Sequence, residues 1–213
     1  MNKEDLPNII PVFPLSNFII FPKTTVPLNI FEPRYIQMVD ECMKGNRIIG
    51  MVQPKKTGML KKPDLYKVGC AGKIISFNET EDRRFIISLS GLIRFRIKSE
   101  IKREKLYRNF EVDYTEFLDD LEEQKKQVAE NDKKNLFNKI KTFFKKINYP
   151  IDYSELIKLD VDQLVSTVSM ISPFSIEEKQ KLIETVKIED KIKTLSEVIS
   201  FNLADFQENK TVQ

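Results

Sequence analysis

The residues predict an α+β fold with a β-rich N-terminal half and a helical C-terminal half. Up to about residue 118 the apolar residues come in short, proline-broken runs with strand-like alternation. Beyond it they recur at helical spacing almost to the end. Hydrophobic residues make up 41% and charged residues 31% of the 213, which is ordinary for a globular chain able to bury a core. The expected domains are therefore a β-rich subdomain at 1–118 and a helical bundle at 119–213.

The first runs, "NIIPVFPL" and "NFIIFPKTTVPLNI", are apolar or β-branched and are interrupted by Pro7, Pro11, Pro14, Pro22 and Pro27. Proline cannot donate to a ladder, so it marks strand ends, edges and bulges. Many short strands broken in this way suggest a compact barrel. One helix is inserted among them. In "FEPRYIQMVDECMKGN", Pro33 suits a first helical turn, Tyr35, Ile36, Met38, Val39, Cys42 and Met43 recur at helical spacing, and Gly45 and Asn46 close it. "RIIGMVQ" at 47–53 reads as a strand, 54–64 as a polar basic loop, and 66–79 and 83–101 as two long strands joined by "ETED". In the second, Arg94, Arg96 and Lys98 alternate with Phe95 and Ile97, as on a half-exposed strand. "NFEVDYTEF" repeats that pattern.

From Asp119 a long helix is expected to 148, with Leu136, Ile140 and Phe143 on one face and a break at Pro150. Asp160 with Gln163 and Ser175 with Glu178 form two capping-box patterns. The last helix places Ile188, Ile192, Leu195, Ile199, Leu203 and Phe206 on one side.

Composition excludes several chemistries. The chain has no histidine, hence no Ser-His-Asp or Cys-His catalysis and no histidine-ligated metal. Cys42 and Cys70 are too few for a cysteine zinc site and read as reduced, buried thiols. No cofactor and no metal are expected. The net charge of +3, dominated by lysine, does not by itself imply nucleic acid. The N-terminus lacks a secretory signal pattern and no apolar run approaches the length of a membrane span, so a cytoplasmic protein with no membrane partner is expected.

"VGCAGKII" at 68–75 superficially resembles a phosphate-binding loop. Such a loop needs four residues between its glycines, a hydroxyl residue after the lysine, and a following helix. Here two residues separate Gly69 and Gly72, Ile74 stands in the hydroxyl position, and a strand follows. The stretch reads as a strand whose glycines permit a bulge or a close backbone approach. The lysines of "KKNLFNKIKTFFKKIN" read as the solvated face of a bundle helix. Adjacent acidic pairs such as Glu122 with Glu123 point to different sides of a helix and form no shared-proton site.

The stretch "PVFPLSNFIIFPKTTVPLNIFEPRYIQMVDECMKGN" resembles the opening of the Lon protease N-terminal domain family, and "IFEPRY" at 30–35 resembles its short stand-alone members. "LYKVGCAGKII", "LSGLIRFRI" and "MISPFSIEEKQKLIE" followed by "KIKTLSEVI" resemble later segments of that family, so the resemblance covers essentially the whole chain. It implies a PUA-like β-barrel subdomain with one inserted helix, followed by an α-helical bundle. It also implies recognition of unfolded or apolar polypeptide segments, in protein quality control or proteolysis, possibly alongside a protease. No nucleotide loop precedes Gln213, so neither ATPase nor peptidase activity is expected. The candidate peptide-binding residues are Phe31, Tyr35, Met59 and Leu60, with Glu32 and Arg34 as polar neighbours. For Phe31 and Tyr35 the competing reading is core packing, and for Glu32 and Arg34 an ion pair fixing the helix start. RNA binding is a rival that the barrel type and lysine clusters allow, disfavoured by scarce arginine and absent tryptophan and histidine. A scaffold for a folded partner, such as full-length Lon, is a third reading.

Overall fold

The computed structural model describes residues 3–56, 62–122 and 128–211. The chain divides into two compact units, Met1–Glu123 and Gln124–Gln213. The first is a mixed unit built on one six-stranded sheet, and the second is helical among its described residues.

The strands are β1 (Ile9–Pro14), β2 (Thr25–Ile30), β3 (Ile48–Val52), β4 (Val68–Glu79), β5 (Phe85–Ile101) and β6 (Arg108–Asp113), with helix α1 (Pro33–Met43) between β2 and β3. The sheet order is β2-β5-β4-β3-β1-β6, and β6 also pairs with β5. One long strand makes this possible. β5 pairs antiparallel with β2 along its first half, with β4 along most of its length and with β6 along its last residues. Register shifts opposite Ala71/Gly72 and between Ile97 and Ser99 let it bend while keeping its core face inward.

The core of this unit is aliphatic and aromatic: Ile10, Val12, Ile49, Cys70, Ala71, Ile87, Leu89, Ile93, Phe95 and Phe117 are fully enclosed. Two glycines are required by close approach. A Cβ on Gly69 would run into the Met51 carbonyl oxygen, and one on Gly91 into that of Phe21. A Cβ on Gly72 would meet the Leu89 side chain, so both glycines of "VGCAGKII" serve strand packing, as expected.

Two sequence expectations change here. The apolar run at 17–21 is not a strand, although Ile19, Ile20 and Phe21 are buried. Asn17 (φ 55°) and Lys23 (φ 62°) turn the chain through the left-handed region, and the Thr24 hydroxyl accepts from the Phe21 N–H and donates to its carbonyl. Arg94, expected on an exposed face, is fully buried. A 3-10 segment, Thr115–Leu121, covers that face. Its Asp120 accepts from the Arg94 guanidinium at 2.8 and 2.9 Å and from the Arg94 backbone N–H at 3.0 Å. The guanidinium also lies 4.6 Å from the Phe117 ring centroid. A buried charge persists only when paired and hydrogen-bonded, and this one is both.

The second unit contains α2 (Glu130–Lys146), α3 (Tyr153–Leu156), α4 (Val161–Ile171), α5 (Ile176–Glu184) and α6 (Ile188–Thr211). The single helix expected from 119 instead begins as the 3-10 segment and resumes as α2. Leu136, Ile140, Phe143 and Phe144 are buried, while Lys139, Lys141, Lys145 and Lys146 face solvent. Both capping boxes form, at Asp160 with Gln163 and at Ser175 with Glu178. No helix among the described residues is long and apolar enough to cross a membrane.

Candidate functional site

The residues around the start of α1 divide into packed and free. Tyr35 is buried, its ring edge-on to Phe13 at 4.4 Å and beneath the Arg34 guanidinium at 4.5 Å. Burial pushes the Tyr35 hydroxyl above its usual pKa. Arg34 in turn holds Glu32 through contacts of 2.8 and 3.0 Å. Glu32 is the residue before the first helical turn and makes no side-chain cap. The stack Glu32–Arg34–Tyr35–Phe13 fixes the helix entry against β1. Phe31, next to it, is 61% exposed. Met59 and Leu60 lie outside the described residues.

Phe31 is not isolated. It follows β2, and the outer ends of β2, β5 and β4 form a three-stranded arm. On it Ile75 is 58%, Ile86 45% and Phe77 39% exposed. The register places them. Ile86 lies between Asn29 and Asn78 on one face, whereas Phe77 lies beside Ile87 on the other, its ring 4.8 Å from that of Phe85. Ile75 is the extra residue of a bulge, since Ile74 pairs Leu89 and Ser76 pairs Ser88. Four large apolar side chains are therefore exposed on three neighbouring strand ends, where isolated ones would need no explanation. A signal for two of them, Ile75 and Phe77, was present in "KIISFNE": adjacent Ile74 and Ile75 cannot both face the core of a period-2 strand.

The arm carries no evident reactive group. Burial pushes the Cys42 thiol up to about 12, and that of Cys70 higher still, so neither is a thiolate at neutral pH. Among the described residues, Lys179 in the second unit is the lysine held below its ordinary pKa; burial lowers it, and it donates to the Met170 carbonyl at 3.3 Å. Glu41 is held below the usual carboxylate range by hydrogen bonds from Lys105 first and Tyr107 second, a contact tying α1 to the segment before β6. Among the described residues no cluster of three or more acidic or cysteine side chains could hold a metal ion.

Residues 9–200 match the family described as the ATP-dependent protease La (LON) substrate-binding domain. Among relatives, the Lon protease of Desulfosudis oleivorans is 27% identical over 94% of this chain and 25% of its own length. That of Syntrophus aciditrophicus is 26% identical over 98% and 27%. The chain thus spans about a quarter of these curated relatives. Among solved structures, a Lon N-terminal domain protein from Xanthomonas campestris superimposes with a TM-score of 0.64 at 18% identity, covering 88% of this chain and 96% of that one. The N-terminal domain of the Mycobacterium avium complex Lon protease gives 0.63 at 15% identity, covering 90% and 98%.

Proposed function

The chain belongs to the Lon substrate-binding domain family, and from that premise we propose that it is a non-catalytic, cytoplasmic module that holds apolar segments of unfolded polypeptides at the β2–β5–β4 arm. The observation that carries this reading is the exposure of Phe31, Ile75, Phe77 and Ile86 together on that arm. Fully burying a side chain of this size stabilises by about 1.5–3 kcal/mol. Partial coverage of several, less the cost of ordering a flexible client, gives the weak and reversible affinity a delivery module needs. We read the return of β6 to β5 as the closure of a PUA-like barrel that holds the arm's inner end rigid. Handing the client to a protease, full-length Lon included, is the biological setting this reading favours.

Fluorescence anisotropy of the purified protein with labelled, reduced and carboxymethylated α-lactalbumin, and separately with a single-stranded RNA, tests it. Polypeptide binding that survives high salt is the expected result. RNA binding that falls steeply with salt would mean phosphate neutralisation and would overturn it.

A further inference from the structure

The outer side of β4 changes character along its length. From Cys70 to Lys73 it is paired with β3, and the Ile74 N–H donates to the Arg47 carbonyl at 2.8 Å. Past Ile74, no strand among the described residues lies along this side. The Thr80 N–H donates to the Arg84 carbonyl at 2.9 Å, closing the β4–β5 hairpin inward. Antiparallel alternation then turns the backbone groups of Asn78 and Ser76 toward β5 and those of Phe77 and Glu79 away from it. The extra residue at Ile75 explains how Ile74 also faces outward. Phe77 and Glu79 thus each present an N–H and a C=O with no ladder partner among the described residues.

The arm's other edge is different. Ser88 pairs with Ser76 on one side and with Pro27 on the other. Because Ser88 turns its backbone groups toward Ser76, Pro27 faces outward on β2. It has no N–H where an incoming strand would need a donor. One edge of the arm is blunted and the other is open.

We propose that the β4 edge at 75–79 is a strand-addition site, and that its occupant is an extended segment of an unfolded polypeptide. This rests on the polypeptide-binding reading above and specifies how the client is held. Five residues of open edge span about 17 Å, room for a short strand. Phe77, resting on Phe85, and the bulged Ile75 offer apolar contacts to the added strand's side chains. Arg47 and Lys73, both exposed at the inner end, favour an acidic residue on the client there. Main-chain hydrogen bonds make such a site tolerant of sequence, as a module with many clients requires.

The test is amide hydrogen exchange by NMR on the full chain, with a soluble peptide of alternating valine and threonine bearing an acidic end. The expected result is at least tenfold slower exchange at the Phe77 and Glu79 amides when the peptide is bound. Glu79→Pro, which deletes an outward N–H but no ladder bond to β5, weakens peptide binding about tenfold, whereas Glu79→Ala leaves it unchanged. If Glu79→Pro fails to fold by circular dichroism, exchange on the unaltered chain decides alone. Binding of the peptide, or of carboxymethylated α-lactalbumin, without protection at these amides overturns the edge proposal and leaves the polypeptide-binding reading standing. Absence of binding by both probes overturns both. Protection that grows with protein concentration in the absence of peptide would make the edge a contact between two copies of this chain, which also overturns it.

Discussion

The two halves of β4 invert the usual relation between size and burial. Its inner half, Val68 to Gly72, is wholly buried yet made largely of small residues. Its outer half keeps Ile75 and Phe77 and leaves both substantially exposed. The inner half is small because a Cβ on Gly69 would meet the Met51 carbonyl oxygen and one on Gly72 the Leu89 side chain. The outer half meets no such demand. Large apolar side chains that the core does not use, on a strand with one open side, are better explained by what they contact outside the molecule. Within this single strand, residues spent on folding lie apart from residues left accessible on the surface.

The largest expected effect lies on the folding side. Asp120→Ala strands the Arg94 guanidinium in the core and should cost about 3–5 kcal/mol, read as a lowered midpoint in urea. Gly69→Val should come next, at roughly 2–4 kcal/mol, because the new Cβ meets backbone rather than a side chain that can move. On the binding side the pattern reverses. Phe77→Ser with Ile75→Ser should change stability by no more than about 1 kcal/mol and yet weaken binding of carboxymethylated α-lactalbumin about tenfold. If that double variant lost stability instead of affinity, the two halves of β4 would not differ as described.

The smallest effect concerns pH. The folded-state pKa of Glu41 lies below its ordinary value of 4.5. Its contribution to stability is therefore present above the unfolded value and is lost as pH falls through the depressed folded one. The Glu41→Gln variant should show a slightly shallower loss of stability on acidification below about pH 4.5, measured by thermal unfolding across that range. Because the contact is largely solvent-exposed, the difference should shrink with added salt.

How much of this could be read in the residues follows from which forces are local. The caps at Asp160 and Ser175, the proline at the start of α1, the lysine face of α2 and the long β4 and β5 strands were all legible, because caps and periodicity are written within a few neighbouring positions. Arg94 was misread because its partner Asp120 is 26 residues away and arrives on a segment whose period gave no hint of a 3-10 turn. The run at 17–21 looked like a strand because its side chains are apolar; its irregular path comes from two left-handed residues and a threonine hydroxyl. At the candidate site the α1 entry was legible from its motif, and Phe31 beside it is exposed. Ile75, Phe77 and Ile86 read as ordinary strand residues, since which face a strand exposes depends on the bulge and on partners distant in the chain.

Photo-crosslinking tests the central claim most directly. p-Benzoylphenylalanine would replace Ile75 in one variant and Leu106 in another, two apolar positions with similar exposure, 58% and 65%, in the same unit. Each would be irradiated with carboxymethylated α-lactalbumin. Strong crosslinking from position 75 and little from position 106 is the predicted result. Equal yields, or a higher yield from position 106, would contradict the assignment of polypeptide binding to the β2–β5–β4 arm.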